Sequence, residues 1–347
     1  GKTAQLCLVL GQLSVQSFVQ SEYQRAYELA EESLSLAQQT DDPILVAMSY
    51  WYLGFILFIF GDIISAQAYF KQVTDFYDPE QHHQQFVLLR GSDAGISALA
   101  YEACVLWCLG YPDQARIKSQ EAITLARKFK HPFTLADALC YGGCWFNAML
   151  RDMKSLREYA EELIGLSKDL GFAGWDASGG SFYGEALAMS GELVEGLVRI
   201  RKGIATNELV GVRCSFIGSY RALAQAQLKE VHPEQGLATI EKALTLVKET
   251  GEHIWEAELY RLQGELLLLG ANENGAEASF KKAIEVAQEQ RAKSWELRAT
   301  TSLARLWKDQ GKNQQAGQIL GKIYSWFTEG FDTPDLERAR SLQDSLH

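Results

Sequence analysis

The cysteines are the first candidates for chemistry. Cys104 and Cys108 stand four apart, as do Cys140 and Cys144, so on helices each pair would share one face. Four thiolates arranged that way would suit a tetrahedral zinc ion. Structural zinc sites usually take cysteines at tighter spacing on turns, and a free cysteine also serves as a small buried apolar residue. Six dispersed cysteines make no disulfide framework in a chain of this length, so reduced thiols without a metal or cofactor are expected. His82 and His83 lie near Asp78 and Glu80 in the stretch Tyr77–Gly91 (YDPEQHHQQFVLLRG). They would bind a metal or sense pH, or simply sit solvated in a polar loop. Gly1-Lys2-Thr3 has no strand or Gly-rich turn before it, and no complete phosphate loop, HExxH or GxSxG element occurs. Ser178-Gly179-Gly180-Ser181 falls near the start of a helix, where close packing accounts for the glycines. No catalytic residue is assigned, and the chain is expected not to be an enzyme.

Any remaining function must come from binding, and therefore from the elements that present side chains. The chain has 347 residues, 47% hydrophobic and 22% charged, with 29 glycines but only 6 prolines. That composition excludes disorder and favours helices. A net charge of −11, from 33 Lys+Arg against 44 Asp+Glu, argues against binding along a nucleic acid backbone. The apolar run Tyr50–Gly61 (YWYLGFILFIFG) has 12 residues, short of the roughly 20 that span a bilayer. The expectation is a soluble, cytoplasmic piece of a longer chain, with neither membrane nor nucleic acid as partner.

Length alone would suggest two or three domains, but an internal period overrides it. Ser33, Val73, Ala122, Leu163, Gly203, Ala243, Ala283 and Ile323 mark equivalent positions, with steps of 40, 49, 41, 40, 40, 40 and 40. The long step is assigned to an inserted loop near 77–91. Within each unit a small residue is followed at +12, +16 and +19, as in Gly264, Ala276, Phe280, Ala283 and in Gly54, Ala66, Phe70, Val73. Small residues let two antiparallel helices approach, and the larger one fills the gap. Gly61-Asp62, Gly110-Tyr111-Pro112 and Gly311-Lys312 supply helix stops and starts. Trp175, Trp255 and Trp295 share one phase and are read as packing between repeats.

This pattern resembles the tetratricopeptide repeat (TPR), on Tyr50, Leu53, Gly54, Ala66 and Phe70 and on Tyr260, Gly264, Ala276, Phe280 and Ala283, although the usual period is 34. The resemblance implies a right-handed all-α solenoid. About eight long helix hairpins would form a single domain over 1–347, each burying its apolar face against its neighbours. Thr333-Pro334 would open a capping helix near 333–346, with Arg338 and Arg340 on its polar outer face. Glu256–Glu265, Ala292–Gly311 and Trp326–Ala339 are similar to the C-terminal region of bacterial proteins that join a class III nucleotide cyclase, a P-loop ATPase module and a helical repeat array. That likeness implies a sensor or interaction region acting on upstream modules of the same polypeptide.

In such solenoids the first helices line a concave face. Three residues before each small anchor the series runs Trp51, Ala100, Tyr141, Ser181, Arg221, Arg261, Thr301. One residue after it runs Phe55, Cys104, Trp145, Glu185, Gln225, Glu265, Arg305. Both rows turn from apolar to polar at mid-chain. Trp51, Phe55, Tyr101, Trp107, Tyr141 and Trp145 would anchor an apolar partner, and Arg221, Arg261, Arg298 and Arg305 would meet carboxylates or phosphates. A tightly coiled superhelix would instead make the aromatics core, and the arginines would be solvated and paired along their helices with Glu258 and Glu265. The expected partner is a protein or peptide segment, or a small effector. The alternative is a structural or homo-oligomeric scaffold.

Overall fold

The computed structural model describes residues 2–214 and 216–346. Among them there are helices and no strand, and they form an α-solenoid of TPR-like hairpins. The pairs are α1 (Lys2–Val19) with α2 (Tyr23–Ala37), α3 (Pro43–Phe60) with α4 (Ile63–Phe76), and α6 (Ala94–Leu109) with α7 (Pro112–Phe129). The fourth first helix is composite: α8 (Pro132–Ala138), a π-helical stretch (Leu139–Trp145) and α9 (Phe146–Leu150), paired with α10 (Met153–Leu170). Then follow α11 (Ala173–Ser190) with α12 (Leu193–Val210), α13 (Phe216–Glu230) with α14 (Pro233–Thr250), α15 (Glu256–Leu269) with α16 (Glu273–Glu289), and α17 (Lys293–Asp309) with α18 (Asn313–Tyr324). The last helix, α19 (Pro334–Asp344), packs on α17 and α18.

Two irregular steps in the repeat have separate structural causes. The stretch that holds the nine extra residues is not a loop: it contains the 12-residue α5 (Pro79–Arg90), because Asp78 accepts from Glu80 and Gln81 N–H ahead of Pro79, and Gly91 closes the helix at φ 83°. The single extra residue of the 41-residue step falls where the π-helical stretch widens one turn, a local insertion that tends to mark functional positions. Helix α3 is longer than its most apolar run. It has 18 residues, enough by length and composition to cross a membrane, but 78% of that window is buried inside the protein. Thr333 begins α19 without capping it through its side chain, since its Oγ1 donates to Gly330 O at 2.7 Å.

The small-residue pattern has a direct geometric cause. A Cβ on Gly264 would lie 2.4 Å from the Phe280 ring, and one on Gly196 would lie 2.6 Å from Gly184 O and 2.7 Å from Ala188 N. The α11–α12 crossing is thus backbone against backbone. Gly196→Ala is expected to cost about 1–3 kcal/mol, since backbone cannot give way as a side chain can; urea unfolding checks this.

The coil then returns on itself. Val19 O accepts from Arg213 N and Cys214 N (2.9 and 3.2 Å), and Ile59 O accepts from His253 N and Ile254 N (2.9 and 3.2 Å). Ser294 Oγ donates to Trp107 O at 2.5 Å. Pairs one, two and three thereby meet the starts of pairs six, seven and eight, so one superhelical turn takes five pairs. Burial is therefore not confined to neighbouring hairpins, as the repeat pattern alone suggests. Trp145 stacks on Trp255 (5.8 Å) and Trp107 meets Trp295 edge-on (4.6 Å), both across turns.

Candidate ligand-binding cavity

The inner helices do not fill the axis completely. Between the two turns they leave a cavity of about 350 Å³, within the range of small-molecule sites. Phe18 of α1, Trp51 and Phe55 of α3, Tyr101 of α6 and the π-helical Tyr141 and Trp145 form its first-turn wall. Trp175 and Phe182 of α11, at the end of the same turn, and Arg221 of α13 and Trp255, on the next, close it. Phe133, 40% exposed, lies at the edge. Rings pack continuously around the wall: Trp51 stacks on Phe55 (5.3 Å), Phe55 tilts on Tyr101 (4.9 Å), and Tyr101 on Tyr141 (4.4 Å). Trp175 also meets Tyr141 edge-on at 5.8 Å.

Three charged elements interrupt this lining. Arg221 and Glu185, both buried, form a two-contact ion pair (2.7 and 2.5 Å), and the guanidinium lies over Trp255. Arg90, brought in by α5, stacks 3.5 Å above the Trp51 ring and donates to Ser92 Oγ. Asp137 of α8 is only 5% exposed, and its Oδ2 has no hydrogen-bond partner. Burial raises the Asp137 carboxyl above its ordinary value, while Arg90 and Ser97 pull it back down. The indole N–H groups of Trp51 and Trp145 and the Arg221 Nε are likewise buried without partners. Buried polar atoms of this kind are uncommon; these belong to residues around the cavity, while others, such as Asn207 Oδ1 and Trp307 Nε1, lie elsewhere in the chain.

The sequence-predicted residues divide between two places. Trp51, Phe55, Tyr101, Tyr141, Trp145 and Arg221 line the cavity, so the contrast between core and groove does not hold: these side chains are buried and also face an internal space. Trp107 does not reach it, and packs instead against Trp295 and Arg298 between turns. Arg261, Arg298 and Arg305 lie in a second cleft near α19, with carboxylate partners already present. Arg261 pairs with Glu258 and Glu265 on its own helix (2.8 and 3.0 Å) but is buried rather than solvated, and Arg305 pairs with Glu265 (2.6 Å). Arg298 bonds Asp335 (2.5 Å) and Met149 O (2.6 Å).

The other chemistry-bearing residues have structural partners. Cys104, Cys108, Cys140 and Cys144 are buried, burial pushes all four thiols up, and no metal-holding group of three or more ligands occurs among the described residues. His83 is not a solvated loop residue. It is buried on α5, stacked on Phe129 (4.0 Å), and its Nδ1 is 2.7 Å from Asp93 Oδ2. That carboxylate also accepts from Tyr77 O–H and from Gly95 and Ile96 N–H, capping α6. His82 stacks on Phe76 and accepts from Asp78 N–H through Nδ1.

Glu252, at the seam between turns, is buried and accepts from Tyr23 O–H at 2.8 Å. Burial pushes its carboxyl up to about 7. The folded chain therefore holds that proton more tightly than the unfolded chain does, and stability falls as pH rises from about 4.3 to about 7. Glu252→Gln is expected to remove this slope, leaving the variant more stable by about 2–3 kcal/mol at pH 8 and little changed at pH 4. Thermal unfolding at the two pH values checks it.

Asp137, Arg90 and the bulge-borne position of Tyr141 and Trp145 were the least visible parts of the site. Two signals point to them: an acid inside the apolar run Leu135–Trp145, and the 41-residue step across that same segment.

The fold and cavity define an α-solenoid whose inner face closes around an internal cavity. No protein-family model matches the sequence, and no curated protein sequence matches it. Solved structures do share the fold. A Rap protein complexed with competence and sporulation factor aligns with TM-score 0.58 and 9% identity over 98% of this chain and 96% of that one. The Rap conjugation gene regulator of plasmid pLS20, in complex with the Phr* peptide, aligns with TM-score 0.58 and 10% identity over 99% and 96%. Aspartyl phosphate phosphatase F from Bacillus subtilis gives 0.52 and 10% over 86% and 74%.

Proposed function

We propose that this chain is a non-catalytic sensor and protein-interaction region, in which an occupant of the axial cavity sets the relation between the two superhelical turns. The observation that carries this reading is the position of the cavity. Its walls come from α1, α3, α6 and α8 on one turn and from α11, α13 and Trp255 further along the coil. A ligand touching both walls binds the closed coil better than an opened one, and so shifts the population toward it. The Rap structures, solved with a competence factor and with a peptide, offer a parallel in fold for an occupied repeat protein. In a cytoplasmic bacterial signalling protein, the coil would pass its state to an upstream cyclase or ATPase module.

The test is native mass spectrometry of the purified chain with a pull-down from cell extract. A co-purified small molecule or peptide, lost when Trp175 is replaced by Ala, supports the sensor. A chain that binds nothing but self-associates in light scattering overturns it in favour of the scaffold.

A further inference from the structure

Resting on that reading, the polar lining narrows the occupant to one chemical class. The half-buried Arg90 has a stacked indole beneath it and a hydroxyl acceptor in Ser92, with only its Nε left unpartnered. Arg221 and Glu185 neutralise each other. Asp137 has neither. Among the described residues no cation lies within ion-pair distance of it and its Oδ2 has no hydrogen-bond partner, and it is 95% shielded from solvent beside aromatic rings. A buried acceptor without a donor is costly, and more so when ionised. The missing complement is a hydrogen-bond donor, best a charged one, and electron-rich ring faces favour a cation there as well. The rest of the lining is apolar and aromatic. We propose that the cavity binds a small amphipathic amine, with its ammonium group on Asp137 and its flat apolar body against the Tyr141–Trp145 wall.

Three probes of one shape separate the possibilities: 3-phenylpropylamine, 3-phenylpropan-1-ol and 3-phenylpropionate, titrated calorimetrically into the full chain. The amine is expected to bind about tenfold or more tightly than the alcohol, and the acid weakest. In Asp137→Asn the amine should lose that advantage while the alcohol stays within about twofold, its retained binding also showing that the cavity has kept its shape. The comparison in the unsubstituted protein needs no variant, so a poorly folding Asp137→Asn chain leaves the test intact. An acid that binds best, an amine no better than the alcohol, or an amine preference that survives Asp137→Asn overturns the amine assignment. Where the alcohol binds without amine preference, the cavity still stands as a ligand site. If no probe binds at concentrations on the order of millimolar, the ligand-sensing reading falls together with the amine.

Discussion

Glu258→Ala is expected to destabilise the chain by about 3–5 kcal/mol, the usual consequence of leaving buried charge unpaired. Glu258 is 1% exposed and receives Arg261 through both Nε (2.8 Å) and a terminal nitrogen (2.9 Å). Arg151 lies at 3.4 Å and Arg298 at 3.7 Å. Asp335 of the capping helix completes the cluster, bonding Arg298 and Arg151 (2.5 and 3.1 Å). Burial alone would raise the Glu258 and Asp335 carboxyls, but the arginines outweigh it and hold both below the carboxylate range. Their contribution is thus complete above about pH 4 and is lost as pH falls through the depressed folded values. Removing Glu258 leaves three guanidiniums with Asp335 and Glu265 as their carboxylates among the described residues. Chemical unfolding should show the full loss for Glu258→Ala. Glu195→Ala, which breaks the exposed pair with Arg199, should cost less than about 1 kcal/mol. Comparable losses from the two variants would mean the cluster is solvated.

In that cluster Arg261 and Arg298 of the arginine row meet carboxylates of the chain itself. Arg151 belongs to the fourth hairpin, Glu258 to the seventh, Arg298 to the eighth and Asp335 to the cap. The charges therefore tie the first superhelical turn to the end of the chain. Farther along the same seam Glu329 accepts from Asp113 and Gln114 N–H at the start of α7, and Asp332 pairs with Arg116. An acid placed at a helix N-terminus from more than two hundred residues away is a long-range staple. These contacts hold the coil closed at one end, and the cavity lies deeper along the axis.

The hairpins were legible because their cause is local. Gly264 faces Phe280 and Gly54 faces Phe70 inside one unit, so the spacing survives in sequence as a period. The closure of the coil was not legible, since it depends on small rotations summed over five hairpins. The backbone bond from Arg213 N–H to Val19 O uses groups that every residue carries and leaves no mark on residue type. The aromatic half of the concave row reached the cavity because inward phase is set by helix periodicity. In the arginine half, the pairing of Arg261 with Glu258 and Glu265 followed from spacing on one helix, whereas Arg298 is met by Asp335 and Arg305 by Glu265 one repeat away, partners that no rule for a single helix pairs. Arg90 entered the site only because the inserted stretch formed a helix rather than a loop.

Trp145→Ala should likewise cost about 3–5 kcal/mol, the range for deleting a large buried aromatic. The side chain is 3% exposed and touches rings from three hairpins: Phe58 (5.8 Å), Tyr141 (5.5 Å) and, across the turn, Trp255 (5.8 Å, 12° between planes). Its loss opens space that the rigid π-helical segment and its tight contacts, such as Gly143 against Tyr159, do not let neighbours fill. It also enlarges the cavity, so the amine probe should bind more weakly even where the chain stays folded. Phe133, 40% exposed at the cavity edge, provides the contrast: its replacement by alanine removes less burial and should shift unfolding by about 1–2 kcal/mol, while still weakening the probe. Calorimetric unfolding and probe titration on both variants separate wall from edge. If Trp145→Ala unfolds as readily as Phe133→Ala, the two turns are not packed through that indole, and the closed coil on which the sensing proposal depends is not the form in solution.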